Sequence, residues 1–213
     1  MSVVIGPDHL PGDLGLPPAP AKGLVVFAHG SGSSRRSPRN RFVARELETS
    51  GLATLLFDLL TESEAADRAN VFDIPLLAER LQTAIAWTRA EERTRHLPLG
   101  LFGASTGAAA ALTAGARAVN RVSAIVSRGG RPDLAAEVLA AVAAPTLLIV
   151  GGFDAEVIAL NRRAQERLRC ENRLAIVPGA THLFEEPGTL EQVVELARQW
   201  LLRYVAQEDG EAA

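Results

Sequence analysis

The sequence has very little cysteine, since Cys170 is the single one among 213 residues. An intrachain disulfide is therefore excluded, and so small a number of cysteines is typical of proteins from a reducing compartment. Residues 1–7 lack the basic flank and the apolar core of a signal peptide. We therefore expect a cytoplasmic protein.

Long apolar runs and blocks of one charge are also absent. The longest stretch of small apolar residues, 107–116, is about half of the roughly 20 residues that a membrane span requires. The formal net charge is -3, from 22 basic and 25 acidic residues that are well mixed, so no nucleic-acid or membrane partner is expected. Four histidines without an i, i+4 pair and one cysteine predict no metal site, and no cofactor is expected.

The composition, 47% hydrophobic and 22% charged, predicts one globular α/β domain over residues 1–213. Short aliphatic runs alternate with segments of helical periodicity, which is typical of a mostly parallel sheet covered by helices on both faces. The predicted strands are 24–28, 53–57, 97–102, 122–126, 146–150 and 174–177. Residues 1–22 are expected to form an N-terminal segment with an edge strand, a hairpin or a loop, and residues 207–213 a frayed tail.

The most informative motif is Gly-Ala-Ser-Thr-Gly at residues 103–107, between a predicted strand and an alanine-rich helix. A G-x-S-x-G elbow needs small residues around the serine because the turn is tight, and it lifts the serine oxygen clear of the sheet. Ser105 is therefore a candidate nucleophile. The alternative is an ordinary strand-to-helix turn in which Ser105 caps the helix.

A candidate acid and a candidate base follow Ser105 in the order that this kind of nucleophile requires. Asp154 comes directly after the strand 146–150, and His182 follows the strand 174–177. The carboxyl ends of parallel strands meet at one edge of a sheet, so we expect Ser105, Asp154 and His182 to form a catalytic triad there. Asp58 also follows a strand and is a weaker candidate for the acid.

An acyl-transfer site also needs donors for the oxyanion of the tetrahedral intermediate. The strand 24–28 runs into His-Gly-Ser-Gly-Ser at residues 29–33, a turn that can point a backbone N–H into the site. We predict an oxyanion hole made by the N–H groups of Ser31 and Thr106, with His29 as a structural residue that holds the loop. A flexible or phosphate-binding loop is the alternative, but the spacing fits neither nucleotide-binding glycine motif.

Four segments together resemble the α/β-hydrolase superfamily, and specifically its dienelactone-hydrolase-like branch. They are residues 29–32, 103–107, 151–154 (Gly-Gly-Phe-Asp) and 180–188 (Ala-Thr-His-Leu-Phe-Glu-Glu-Pro-Gly). The resemblance covers about residues 23–205 and implies an α/β-hydrolase fold with about seven or eight strands. Dienelactone hydrolases carry a cysteine nucleophile, whereas this sequence has Ser105 there and Cys170 in a helical pattern far from any strand end. Dienelactone is therefore not the expected substrate.

Two sets of arginines are candidates for substrate selection. Arg128 follows the strand 122–126 and could pair with a substrate carboxylate, although an ion pair with Asp133 or a helix-end contact is the favoured alternative. Arg35, Arg36, Arg39 and Arg41 form a basic stretch that either attracts an acidic substrate or is simply solvated, and the solvated state is favoured.

The predicted function is hydrolysis of small carboxylic esters through an acyl-enzyme on Ser105. Residues 127–144, about 18 in number, leave room for one helix around Leu134, Val138 and Leu139 but for no cap domain, so an open site is expected. Thioesterase or other acyl-transferase chemistry on the same residues remains an alternative, as does a non-catalytic binding protein with this fold. The expected partner is a small-molecule ester, and the expected state is a monomer or small homo-oligomer.

Overall fold

A computed structural model describes residues 1–206, so the predicted tail at 207–213 lies outside the described residues. The described chain forms one sheet of eight strands, as the sequence predicts. The strands are β1 (Ser2–Ile5), β2 (Leu10–Gly15), β3 (Gly23–Ala28), β4 (Leu52–Phe57), β5 (Leu99–Ala104), β6 (Val122–Arg128), β7 (Thr146–Gly151) and β8 (Asn172–Val177).

Seven α-helices connect these strands or follow them. They are α1 (Pro38–Thr49), α2 (Glu62–Ala66), α3 (Arg68–Val71), α4 (Ile74–Ala90), α5 (Thr106–Gly115), α6 (Ala155–Arg167) and α7 (Thr189–Tyr204). Within residues 1–206, no helix combines the length and the apolar character that crossing a membrane would need.

The sheet order is β1-β2-β4-β3-β5-β6-β7-β8, and strands β3 to β8 are parallel. Strands β1 and β2 form an antiparallel hairpin at one edge, which is one of the arrangements expected for the N-terminal segment. This strand order determines which loops lie on the same side of β5. The loops after β3 and β4 lie on one side of β5, and the loops after β7 and β8 lie on the other.

The core has two layers because the central strands are buried on both faces. Every residue of β3, β4, β5 and β7 is buried, which explains why these strands lack polar alternation. Helices α4, α5 and α6 cover one face with side chains such as Leu81, Leu112 and Ala164. Helices α1 and α7 cover the other face with side chains such as Leu47 and Val193.

The connection between β6 and β7 differs from the prediction of one helix. It contains two short 3₁₀ turns, Pro132–Ala135 and Leu139–Ala141, and no α-helix. A 3₁₀ turn rises about 2.0 Å per residue against about 1.5 Å in an α-helix, so a short connection can still cross the sheet. As expected from its length, this connection holds no cap domain.

Cys170 also lies elsewhere than predicted. Helix α6 ends at Arg167, and Cys170 is in the turn before β8, which begins two residues earlier than the sequence indicates. The thiol is partly buried, with its Sγ 3.8 Å from Thr146 Oγ1. Burial raises the pKa of this thiol, which makes it a poor nucleophile.

Candidate active site

Ser105 lies in a strained turn between β5 and α5. Its backbone has φ 52° and ψ -120°, a conformation that is rare for a residue with a side chain. Its side chain makes no capping hydrogen bond to the helix, which contradicts the alternative in which Ser105 is an ordinary N-cap. Backbone strain that no capping hydrogen bond offsets is typical of a functional position.

The two glycines of the motif let α5 approach the sheet closely. A Cβ at Gly103 would lie 2.4 Å from Ala108 Cα, and a Cβ at Gly107 would lie 2.2 Å from the carbonyl oxygen of Ala28. Both distances are far below van der Waals contact, so no larger residue fits unless the helix moves. The close approach of α5 to β3 and β5 therefore accounts for the small residues around Ser105.

Asp154 and His182 are hydrogen-bonded to each other in the loops that follow β7 and β8. Asp154 Oδ2 lies 2.7 Å from His182 Nδ1, and the two side chains are 16% and 38% exposed. Asp154 is the N-cap residue of α6 but makes no side-chain cap, since its carboxylate is used by the imidazole. This bond holds the ring so that Nε2 remains available as a base.

His182 and Ser105 both lie beside the end of β6, one against Gly129 and the other against Arg128. A Cβ at Gly129 would lie 3.4 Å from His182 Cε1, so the imidazole packs directly over the residue that follows β6. The Ser105 N–H donates to the carbonyl oxygen of Arg128 at 3.1 Å. In the described residues His182 bonds Asp154 through Nδ1, and the Ser105 side chain makes no cap to α5; a catalytic serine–histidine bond is often long before substrate binds.

The predicted oxyanion loop runs beside Ser105. A Cβ at Gly30 would lie 3.0 Å from Ser105 Cβ, which places the next residue, the exposed Ser31, next to the nucleophile. Thr106 is the first residue of α5, so its N–H has no acceptor within the helix. Ser31 and Thr106 line the same cavity, Ser31 from the loop and Thr106 from the start of α5.

His29 anchors this loop, as the sequence analysis predicts. Its Nδ1 lies 3.0 Å from the carbonyl oxygen of Gly30, and the Leu59 N–H donates to its Nε2 at 3.0 Å. The ring must therefore be neutral, with the proton on Nδ1. Burial lowers the pKa of His29 below its usual value, because the charged form would lose its water.

Among residues 1–206 no carboxylate forms an ion pair with Arg128, so the expected ion pair with Asp133 is wrong. Arg131 takes Asp133 instead, through bonds of 2.9 and 2.8 Å. Arg128 is 8% exposed, its side chain donates to Asn40 Oδ1 at 3.3 Å, and its guanidinium carbon lies 6.0 Å from the ring centre of Phe184. Two of its nitrogens, Nε and Nη1, are buried without a partner among the described residues.

The charge state of Arg128 reflects this burial. Loss of hydration, with a smaller contribution from the nearby Arg39, lowers the pKa of Arg128 to about 10. The group therefore stays a cation at neutral pH. A buried cation without a counter-ion is costly for the folded protein and is consequently suited to bind an anion.

Part of the basic stretch is solvated as expected, since Arg36 and Arg41 are exposed, whereas Arg35 and Arg39 are paired with carboxylates. Arg35 pairs with Asp58 and, at 3.4 Å, with Asp13, while Arg39 bonds Glu185 at 2.9 Å. The carboxylate of Asp58, the weaker candidate for the acid, is therefore engaged in an ion pair with Arg35. Its strand, β4, is also on the opposite side of β5 from His182.

A cavity of about 650 Å³ lies beside the oxyanion loop. The loop at residues 29–36, the segment 58–62, α2, α3 and α4 all contribute to its wall, and Thr106 reaches it from the start of α5. The sequence gives no sign of this cavity, because its wall comes from elements with no shared motif. The described residues contain no group of three or more histidine, cysteine or acidic side chains that could hold a metal ion.

The chain is similar to several known proteins. A dienelactone hydrolase from Anabaena variabilis is 54% identical, with a TM-score of 0.92 over 96% of both chains. An α/β serine hydrolase without a lid from Xanthomonas campestris has a TM-score of 0.79 over 98% of this chain and 96% of that one, at 21% identity.

A protein from Mycobacterium tuberculosis that bears the name "putative phosphoribosyl transferase" is 58% identical over 205 residues. The match covers 96% of this chain and 46% of that protein, so the chain spans about half the length of this curated relative. No protein-family model matches the chain.

The order of the sheet and the strand-to-helix turn at Ser105 define an α/β hydrolase. At 54% identity over nearly the full length of both chains, the chain belongs to the dienelactone hydrolase family. The branch that its sequence motifs indicate is thereby confirmed.

Proposed function

We propose that this protein is a serine hydrolase that cleaves small carboxylic esters through an acyl-enzyme on Ser105. The observation that carries the proposal is the 2.7 Å contact between Asp154 and His182 at the sheet edge where Ser105 has its strained backbone. A backbone distortion at one strand end and an oriented imidazole at another have no evident role in a structural turn.

In the proposed reaction His182 Nε2 takes the proton of the Ser105 hydroxyl, whose oxygen attacks the ester carbonyl. The N–H groups of Ser31 and Thr106 stabilise the oxyanion, and Asp154 holds the imidazole in the tautomer that the step needs. His182 then gives its proton to the leaving alcohol. A water molecule, activated by the same imidazole, releases the acid and regenerates Ser105, so the cycle uses no cofactor.

We also propose that Arg128 binds a carboxylate on the substrate. Two buried nitrogens of the Arg128 guanidinium have no partner among the described residues. The backbone carbonyl oxygen of Arg128 accepts the N–H of Ser105, so Arg128 lies next to the nucleophile. Phe184, which packs near the guanidinium, belongs to the same loop as His182. A carboxylate on the leaving group would therefore have a cation on the side from which His182 acts.

The alternatives differ in how well the site supports them. Thioester hydrolysis and acyl transfer use the same residues, so a comparison of matched oxygen esters and thioesters is needed to separate them. A non-catalytic binding protein would not need the strain at Ser105 together with the Asp154–His182 pair. Phosphoribosyl transfer has less support, because more than half of the mycobacterial relative that carries this name lies outside the match.

The decisive experiment compares the wild type with Ser105→Ala on p-nitrophenyl acetate and butyrate. We expect the variant to lose about 10⁴-fold or more in kcat/KM. A fluorophosphonate should add its phosphonyl group to the wild type, with release of fluoride, but not to Ser105→Ala. Ser63→Ala, which changes an exposed serine in α2, is the matched control and should behave as the wild type. A Ser105→Ala variant with full activity, or a wild type that neither turns over nor labels, would contradict the proposal.

A further inference from the structure

The cavity of about 650 Å³ lies on one particular side of Ser105. Its wall comes from the loops after β3 and β4 and reaches Ser31 and Thr106, the two proposed oxyanion donors. None of Ser105, Asp154 and His182 contributes to that wall, which reaches the nucleophile's neighbour Thr106. In the sheet order Asp154 and His182 come from β7 and β8, beyond β5 in the opposite direction.

The chemistry of ester cleavage fixes which half of the substrate faces His182. The leaving oxygen has to receive its proton from the imidazole, and proton transfer requires a separation of about 2.6–3.2 Å. The leaving group must therefore lie on the side of β7 and β8. The leaving group and the acyl group occupy different positions on the tetrahedral carbon, so with the leaving group on the side of β7 and β8 the acyl group faces the loops after β3 and β4.

We infer that this cavity is the acyl pocket of the enzyme and that it selects an apolar acyl group much larger than acetyl. The inference rests on the proposed ester hydrolase function and adds the identity of the preferred acid. A volume of about 650 Å³ is within the usual range of roughly 300–1,000 Å³ for small-molecule sites, and an acetyl group would leave most of it empty.

The lining supports an apolar occupant. The wall carries Leu59, Leu60, Val71 and Leu77, and the three leucines are at least nine-tenths buried. Its charged side chains are Arg35 and Asp58, which form an ion pair, and Arg36 and Glu62, which are exposed. An aliphatic or aromatic acyl chain therefore gains burial here without separating a charge pair.

Ala65 is a position from which a larger side chain can fill part of the cavity. It lies on α2, it lines the cavity, and it is exposed outside the hydrophobic core, so a larger side chain can enter without disturbing the core. The neighbouring Ala66 is also exposed and on α2, but it does not line the cavity. Ala65→Trp and Ala66→Trp are therefore a matched pair that differs in the direction of the added ring.

The test measures kcat/KM for p-nitrophenyl acetate and p-nitrophenyl hexanoate, which share one leaving group. We expect the wild type to prefer the hexanoate. Ala65→Trp should lower the ratio of hexanoate to acetate by about tenfold or more, because even single methylene groups in a pocket change discrimination by about 10–200-fold. Ala66→Trp should keep the wild-type ratio, and Ala65→Leu replaces Ala65→Trp if the larger variant does not fold.

Two results would overturn the inference while ester hydrolysis stands. One is an unchanged ratio in Ala65→Trp. The other is a change, in Ala65→Trp, of the preference between acetate esters of large and of small alcohols. That change would assign the cavity to the leaving group. A wild type that cleaves neither p-nitrophenyl ester would instead overturn the proposed function, and this inference with it.

Discussion

The contact of Asp154 with His182 joins two loops that are 28 positions apart in the sequence, at 2.7 Å. It is possible because the two loops come very close together. A Cβ at Gly151 would lie 2.5 Å from the carbonyl oxygens of both Ala180 and Thr181. The bond orients the imidazole toward the nucleophile side of the sheet edge.

Asp154→Asn is predicted to lower kcat by about 10³- to 10⁴-fold while the fold is kept. The amide cannot accept the Nδ1 proton in the same way, so the imidazole takes the wrong tautomer for a base. Steady-state kinetics on p-nitrophenyl butyrate checks the loss, and Asp133→Asn, which changes a surface pair with Arg131, is the control. Loss of less than tenfold would mean that Asp154 does not orient the base.

Arg128→Met is predicted to raise KM for a substrate with a carboxylate on the leaving group by about 10- to 100-fold. A hydrogen bond to a charged group contributes about 1.5–3 kcal/mol, which the variant loses. The measurement compares 4-carboxyphenyl acetate with phenyl acetate, for which KM should stay near the wild-type value. Arg131→Met is the control, and an equal effect on both esters would assign Arg128 a structural role instead.

Gly107→Ala is predicted to destabilise the protein by about 1–3 kcal/mol, because the added carbon overlaps the carbonyl oxygen of Ala28. Denaturant unfolding measures the loss. Gly179→Ala is a useful comparison, since nothing lies within 4 Å of the added carbon there and only the positive φ of 73° opposes it. That variant should lose about 1 kcal/mol. Equal stability of Gly107→Ala and the wild type would mean that α5 can move away from β3.

The stability of the protein is predicted to fall as the pH decreases below about 6.5, with His29 as one cause. Since burial lowers the pKa of His29 from 6.5, the unfolded chain takes up a proton there before the folded chain does. Proton uptake by the unfolded state favours unfolding, so the contribution is intact above 6.5 and is lost as the pH falls toward the folded-state pKa. His29→Gln should show a shallower decline in unfolding free energy between pH 7 and 5. Parallel pH profiles for the two proteins would contradict this assignment.

Much of the site could be predicted because it depends on local order along the chain. A strand followed by a glycine-flanked serine, and later strands followed by Asp154 and His182, identify one sheet edge without any coordinates. The ends of each strand were less predictable. Strand β5 ends at Ala104 and β6 extends to Arg128, two residues beyond the prediction in each case, since apolar runs do not show where hydrogen-bonding to a neighbour stops.

The sequence by itself determined the class of fold, the family and the candidate residues at the strand ends. These follow from periodicity and from motifs that are contiguous in the chain. Only the tertiary structure decided that Arg131, and not Arg128, takes Asp133, and that a cavity opens beside Ser31. Burial, ion pairing and empty volume depend on which distant segments meet, and that information is not contained in any single stretch of the chain.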